Sequence, residues 1–194
     1  MILFIGEVKS KMSNTKKQHK LKSYVLISLF SAIIAVLSFI SIPAPIPFTL
    51  QTLGVFCALC VLGGKKGLLS IILYILLGII GLPVFSHFSG GIGHLFGVSG
   101  GYIIGFIPLA LVHWGITYKF NNTICAKAVG LIAGLSICYL LGTLWYTYKY
   151  VGNFSTESFI SSLSVCVLPF LIPDMIKLSC ALLIDKKLNK LINF

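Results

Sequence analysis

Six long apolar runs, separated by short segments that carry most of the charge, glycine and proline, dominate this chain of 194 residues. A helical run of about 20 apolar residues spans the hydrocarbon core of a bilayer, which is about 30 Å thick. Only 10% of the residues are charged, whereas soluble domains carry about 25%. The sequence therefore predicts an all-α membrane protein with six transmembrane helices. Their expected positions are residues 24–41, 52–63, 67–81, 102–118, 128–148 and 165–184.

The lysines set the predicted orientation of these helices. The net charge is +11, and the chain contains no arginine. Lysine is retained on the cytoplasmic side of a membrane, next to anionic lipid. If both termini are cytoplasmic, all lysines are on that side except Lys149, which is external, and Lys177, which lies in a membrane segment. We therefore expect a lysine-rich cytoplasmic tail at residues 1–22 and a transmembrane domain at residues 23–190, in the cytoplasmic membrane and without nucleic-acid binding.

Two opposite charges lie inside the last apolar run, in the segment LPFLIPDMIK at residues 168–177. Asp174 and Lys177 are three residues apart and share one face of a helix, and Pro173 predicts that this helix begins beside them. An ionised group at membrane depth costs roughly 2.5–3.5 kcal/mol, so such groups usually face a cavity or each other. Two interpretations remain open: a structural ion pair without a ligand, or a polar clamp for a small molecule.

Two unusual segments lie on the predicted external side, together with the start of the last helix. Residues 42–51 contain three prolines and predict an extended loop. Residues 85–101, between the third and fourth helices, are glycine-rich and uncharged, and they either fold back against the bundle or form a flexible external loop. His87 and His94 have no cysteine or carboxylate nearby, so they are predicted to be polar loop residues and not metal ligands. This convergence favours a pocket that is open to the outside.

The chain contains few residues that could take part in catalysis. The chain has four acidic residues, of which Asp174 alone is predicted to lie in the apolar body, so an enzyme with paired carboxylates is not expected. It has no Walker A motif and is not expected to hydrolyse ATP itself. Cys57 and Cys60 form a single C-x-x-C pair within an apolar run, which does not predict a metal or redox site. We expect a binding protein without a metal or a cofactor.

Six short motifs, in register from residue 24 to residue 190, are similar to those of the BioY family. This family consists of biotin-binding substrate components (S components) of energy-coupling factor (ECF) transporters. The resemblance does not include the first dozen residues, which leaves Met1 and Met12 as candidate starts. The motifs are LQTLG at 50–54, GLPVF at 81–85, SGG at 89–91, GGY at 100–102, YLLGTLW at 139–145, and LPF at 168–170 followed by Asp174-x-x-Lys177.

The resemblance implies that the ligand is biotin, which has a ureido ring, an apolar thiophane ring and a carboxylate tail. Asp174 is then expected to accept hydrogen bonds from ureido N–H groups, and Lys177 to donate to the ligand. The other residues expected to contact biotin are Phe85 and Tyr139 as apolar walls, and Gln51, Ser89, Gly90 and Gly91 as polar contacts.

Small residues on the first helix predict a contact with another helix. Ser28 and Ala32, and likewise Ser31 and Ala35, are four residues apart, a spacing that lets helices approach closely. The partner is either another helix of the same bundle or, as the resemblance implies, a transmembrane coupling subunit. The resemblance also implies two cytoplasmic ATPase subunits that hydrolyse ATP for transport.

Two alternatives to biotin uptake stay open at this point. One is an S component of the same architecture for another vitamin. The other is a membrane enzyme, or a structural bundle, that contains a buried ion pair.

Overall fold

The structure is a computed structural model that describes residues 2–42, 48–152 and 155–192, most of which are helical. A short antiparallel hairpin follows the first helix, a 3₁₀ turn (Ser86–Phe88) follows the third, and a π-helical turn (Thr147–Val151) extends the sixth. The hairpin strands are β1 (Ser41–Ile42) and β2 (Phe48–Thr49). The α-helices in these ranges are α1 (Ile2–Phe39), α2 (Gln51–Leu62), α3 (Gly64–Ile79), α4 (Ile92–Leu95), α5 (Gly100–Lys119), α6 (Ile124–Tyr146), α7 (Thr156–Cys166) and α8 (Leu168–Ile192).

The prediction of a mainly helical chain is confirmed, but the described residues form eight α-helices where six were expected. The additional ones are α4, a single turn inside the glycine-rich segment, and α7, which precedes the last apolar run. Within the described ranges, three helical stretches are long and apolar enough to cross a membrane, namely Gln18–Phe39, Gly100–Lys119 and Ile124–Val151. A fourth exists if α7 and α8, which meet at 45°, form one bent span.

Two predicted boundaries differ from the structure. The last helix begins at Leu168 and not at Pro173, because Pro169 occupies the first turn, where a missing N–H is harmless. The first helix begins at Ile2, so the backbone of the predicted tail is helical and continuous with the first apolar run. The three prolines of the predicted external loop fall at residues 43–47, outside the described residues.

Close backbone contacts hold α5 and α6 together along their length. A Cβ atom added at Gly134 of α6 would lie 2.7 Å from the carbonyl oxygen of Leu109 on α5. On the other side of the bundle, α2 packs between α1, α3 and α8. Residues from these helices form one apolar core, whose fully buried members include Ile34, Phe56, Leu59, Ile71, Tyr74, Phe85, Leu109 and Leu131. This packing brings the first turn of α2 against α8.

The small residues of α1 lie on two different faces. Ser28 and Ala32 are exposed, whereas Ser31 and Ala35 are buried in the bundle. The two pairs are about 60° apart around the helix, since each residue advances by about 100°. The prediction of one docking face made by all four residues is therefore wrong for Ser31 and Ala35, which pack inside the chain.

Candidate ligand-binding site

A cavity with about 620 Å³ of empty space, counted out to its open mouth, lies between α2, α5, α6 and α8. Sites for small molecules commonly have mostly apolar walls and a few polar groups that fix the orientation of the ligand. The apolar part of the wall includes Ile103, Phe106, Leu135 and Phe170. The polar part of the wall includes residues with hydroxyl groups, namely Thr49, Thr52, Ser86, Ser99, Tyr102 and Tyr139. It also includes Gln51, Asp174 and Lys177.

Lys177 is fixed by three acceptors of the protein. Its Nζ donates to Oδ1 of Asp174 at 2.8 Å, to Oγ1 of Thr52 at 2.9 Å and to the carbonyl oxygen of Thr49 at 2.7 Å. It also lies 4.1 Å from the ring centroid of Phe48, close enough for a cation–π contact. An ammonium group has three N–H donors, so all of them are used within the chain. The predicted donation from Lys177 to a ligand would require one of these bonds to open.

The Asp174 carboxylate, in contrast, keeps an unused acceptor direction. Oδ1 accepts from Lys177 and, at 3.0 Å, from the Thr52 hydroxyl, while Oδ2 accepts from the Tyr139 hydroxyl at 2.6 Å. A carboxylate has about four lone-pair sites and the described residues use three, so one remains on Oδ2. Thr52 lies in the first turn of α2, whose partial positive charge favours a carboxylate nearby. Asp174 is 2% exposed and lines the cavity.

Gln51 places a hydrogen-bond donor in the same region. It is the first residue of α2, it lines the cavity, and it is 5% exposed. Its Nε2 has no hydrogen-bond partner among the described residues. A buried polar group without a partner costs about 1–3 kcal/mol, a cost that a ligand carbonyl would remove. The cavity thus offers an acceptor on Asp174 and a donor on Gln51, the complement of an amide or a urea.

Phe85, predicted as an apolar wall of the site, is a core residue that does not line the cavity. It is fully buried, with its ring edge-on to Tyr74 at 5.6 Å and stacked on His94 at 5.1 Å. Gly78 makes room for this ring, since a Cβ atom there would lie 2.0 Å from it. Of the two residues predicted as apolar walls, Tyr139 is the one that lines the cavity.

Three further predicted contact residues lie outside the cavity lining. The Ser89 hydroxyl donates to the carbonyl oxygen of Ser86, Gly90 lies against Leu82, and Gly91 has φ 87° and donates to Gly78. In this structure their contacts shape the glycine-rich segment. The residues of this segment that do line the cavity are Ser86 and Ser99. Neither was predicted from the sequence. The other residues of the site that were not predicted are Thr49, Thr52, Phe48 and Phe170.

Within the described ranges, a second buried ion pair joins α6 to α8 away from the cavity lining. Nζ of Lys127 lies 2.6 Å from Oδ2 of Asp185 and also donates to the carbonyl oxygen of Cys60 at 3.0 Å. Asn189 donates to the other carboxylate oxygen. The expectation that Asp174 is the single acidic residue in the apolar body is therefore wrong. No three His, Cys, Asp or Glu side chains of the described residues come together in a way that could hold a metal ion.

Comparisons with known proteins agree with one another. The model of the BioY family matches residues 11–194. A protein named biotin transporter BioY from Thermotoga maritima is 41% identical over 172 residues, which cover 88% of this chain and 98% of the relative. A probable biotin transporter BioY from Pyrococcus horikoshii is 39% identical over 171 residues, with coverage of 88% and 98%.

A solved structure is similar in fold as well. It is the S component for biotin from an ECF-type ABC transporter, and it is 26% identical to this chain. The alignment covers 89% of this chain and 93% of that one, with a TM-score of 0.78. The similarity thus extends over nearly the whole of both chains.

Proposed function

The chain belongs to the BioY family, and on that basis we propose that it captures biotin in the cavity beside Asp174, as the substrate-specific component of an ECF-type ABC transporter. The observation that carries this assignment to the site is the pairing of two buried groups, a carboxylate that has an open acceptor direction and an amide donor that has no partner among the described residues. A ureido group has N–H donors beside a carbonyl acceptor, which is the matching pattern.

In the proposed complex, Oδ2 of Asp174 accepts one ureido N–H, and Nε2 of Gln51 donates to the ureido carbonyl oxygen. The apolar thiophane ring packs against Ile103 and Phe106, which line the cavity. Tyr139 and Lys177 act as positioning residues, because their donors hold the carboxylate in place. The ligand thus completes the hydrogen bonds that the protein alone leaves unmade.

Binding of labelled biotin to the purified chain tests this proposal. Asp174→Asn puts an amide N–H opposite the ureido N–H, and we expect affinity to fall about 10- to 100-fold, as for loss of a charged hydrogen bond. Glu157→Gln is the matched control, because it removes a carboxylate from the exposed first turn of α7. Equal biotin affinity in the two variants would refute the role of Asp174. A panel of other vitamins separates biotin from a different ligand of the same fold.

We also propose that α1, α2, α3, α5, α6 and α8 cross the cytoplasmic membrane, with both termini cytoplasmic and the cavity mouth external. The distribution of lysine supports this orientation. With 12 residues, α2 would be about 18 Å long, shorter than the hydrocarbon core. The hairpin stem and the glycine-rich segment, both packed on the protein, would occupy the remaining depth, where irregular backbone is tolerated.

Release of biotin inside the cell would require a transmembrane coupling subunit and two cytoplasmic ATPase subunits. Ser28 and Ala32 support a docking face on α1, since both are small and exposed. Ala32→Leu is expected to abolish biotin uptake in cells that express these partners, while biotin binding by the purified chain is unchanged. Ala32→Ser, which stays small, is the control. Normal uptake by the leucine variant would exclude this face.

A further inference from the structure

The His94 ring joins two serines of the glycine-rich segment. Its Nδ1 lies 2.9 Å from Oγ of Ser89, and its Nε2 lies 3.2 Å from Oγ of Ser99. The ring is stacked on Phe85, which fixes its plane. Ser99, which precedes α5, lines the cavity, so His94 contacts the wall of the proposed biotin site from behind.

The position of each proton in this chain of hydrogen bonds follows from one carbonyl group. Ser89 Oγ lies 2.6 Å from the carbonyl oxygen of Ser86, which can only accept, so Ser89 donates its single hydroxyl hydrogen there. Towards His94, Ser89 must then accept, and Nδ1 carries the ring hydrogen. In a neutral imidazole the other nitrogen is an acceptor. Nε2 therefore accepts the hydroxyl hydrogen of Ser99.

We propose that His94 fixes the Ser99 hydroxyl as a hydrogen-bond acceptor towards the ligand and thereby makes this wall of the cavity specific for an N–H donor. With its hydrogen committed to Nε2, Ser99 has only lone pairs left for the cavity. The inference rests on the proposed function: of the two ureido N–H groups of biotin, one meets Asp174 and the other meets Ser99. Ser99 is then a specificity-determining residue, and His94 is the residue that positions its proton.

Protonation of His94 reverses the polarity of this wall. In the imidazolium both nitrogens donate, so Ser99 must accept from Nε2, and its own hydrogen turns to face the ligand N–H. Burial, and next the charge of His87, lower the pKa of His94 below its ordinary value, so the reversal requires a lower pH than protonation of an unperturbed imidazole. The titratable or charged groups on elements packed around this segment and the cavity include His87, Tyr74, Tyr102, Lys149, Asp174 and Lys177.

A first experiment needs no ligand. Nitrogen-15 NMR of the full chain labelled at histidine distinguishes the two neutral tautomers, and His94→Phe, which keeps a flat ring against Phe85, assigns the signal. We expect His94 to carry its hydrogen on Nδ1 at pH 8. A hydrogen on Nε2 would overturn the proposal, whether or not biotin binds to this chain.

A second experiment measures biotin affinity between pH 8 and pH 5.5 for the wild type, Ser99→Ala and Ser99→Thr. At pH 8 we expect Ser99→Ala to bind about 3- to 10-fold more weakly, the effect of one hydrogen bond, and Ser99→Thr to bind like the wild type. Wild-type affinity should fall as the pH is lowered, whereas Ser99→Ala and His94→Phe lack this dependence on pH. A purely structural role of His94 changes stability but leaves the pH profile intact.

These outcomes separate two kinds of failure. If the wild type does not bind biotin at any pH, the proposed function is wrong, and the tautomer measurement still decides the inference about His94. If Ser99→Ala binds biotin as tightly as the wild type at pH 8, or if the wild-type affinity falls with pH and His94→Phe keeps that profile, the inference about Ser99 is wrong although biotin is the ligand.

Discussion

Tyr139 donates its hydroxyl hydrogen to Oδ2 of Asp174 over 2.6 Å, a bond that connects α6 to α8 at the edge of the cavity. Hydrogen bonds to a charged group contribute about 1.5–3 kcal/mol, so Tyr139→Phe should destabilise the ligand-free protein by about that amount. Biotin should still bind, because Oδ2 remains available to the ureido N–H. Thermal unfolding with and without biotin measures both effects. A loss of binding as severe as in Asp174→Asn would show that Tyr139 contacts the ligand directly.

Lys177→Met should be among the most destabilising single substitutions near the cavity. Removing one partner of a buried ion pair leaves the other charge uncompensated, at a cost of about 3–5 kcal/mol. The double variant Asp174→Leu with Lys177→Leu removes both charges, and its stability should return close to that of the wild type. Its biotin binding should not return. Chemical denaturation and biotin binding together show whether the pair serves the ligand or only the fold.

The pair formed by Lys127 and Asp185 provides the comparison for that experiment. Lys127→Met is expected to cost about 3–5 kcal/mol for the same reason, and Lys127→Met with Asp185→Leu should recover most of it. Because neither residue lines the cavity, biotin affinity should be unchanged in the double variant. Weaker binding in a folded double variant would mean that the two ion pairs are coupled through α8.

Stability should decrease as the pH falls because of His94. Its pKa in the folded state is lowered, so the unfolded chain takes up a proton first as the pH drops through the ordinary value of about 6.5. The contribution of the neutral ring is complete above that pH and is progressively lost below it. We expect the unfolding temperature of the wild type to fall more between pH 7.5 and pH 5.5 than that of His94→Phe. Parallel curves would contradict this assignment.

Gly78→Ala should destabilise the protein by about 1–3 kcal/mol through overpacking, since the new methyl group would occupy the position of the Phe85 ring. Gly115→Ala is the matched control in α5, where an added Cβ atom meets nothing within 4 Å. That substitution should be neutral or stabilising by about 0.4–1 kcal/mol. Thermal unfolding of both variants measures the contrast, and equal unfolding temperatures would argue against the packing described for Phe85.

Local patterns in the sequence were sufficient for a mainly helical chain and for the charged pair, but not for the number of helices. The shared face of Asp174 and Lys177 follows from a spacing of three residues, which is a property of any helix. Thr49 and Thr52, which hydrogen-bond to this pair, could not be found in the same way. Thr52 is 122 positions from Asp174, and the contact exists only because α2 packs on α8. The one indication available in the sequence is that Thr52 follows Gln51, which was predicted to contact the ligand.

Errors about burial have the same origin. Lys127 follows a polar connector, so its sequence context indicates a cytoplasmic surface, and its partner Asp185 is 58 residues away. Phe85 was predicted as a wall of the pocket because it ends the motif GLPVF, which resembles the BioY family. Its actual place depends on the space left by Gly78 in another element. The periodicity of the sequence identifies the apolar face of a single helix. The burial of Lys127 and Phe85 depends instead on which elements pack against each other.

The two aspartates of α8 are eleven positions apart, or about 16 Å along the helix axis, and each is bound to a lysine and to a neighbouring helix. Any sliding or rotation of α8 would have to break the buried Lys127–Asp185 ion pair together with the hydrogen bonds that join Asp174 and Lys177 to α2 and α6. Biotin should therefore enter and leave while α8 stays in place. The segments that move should be ones that are held by contacts between uncharged groups. The glycine-rich segment, whose hydrogen bonds to the cavity wall run through serines and a neutral imidazole, is the part that meets this condition.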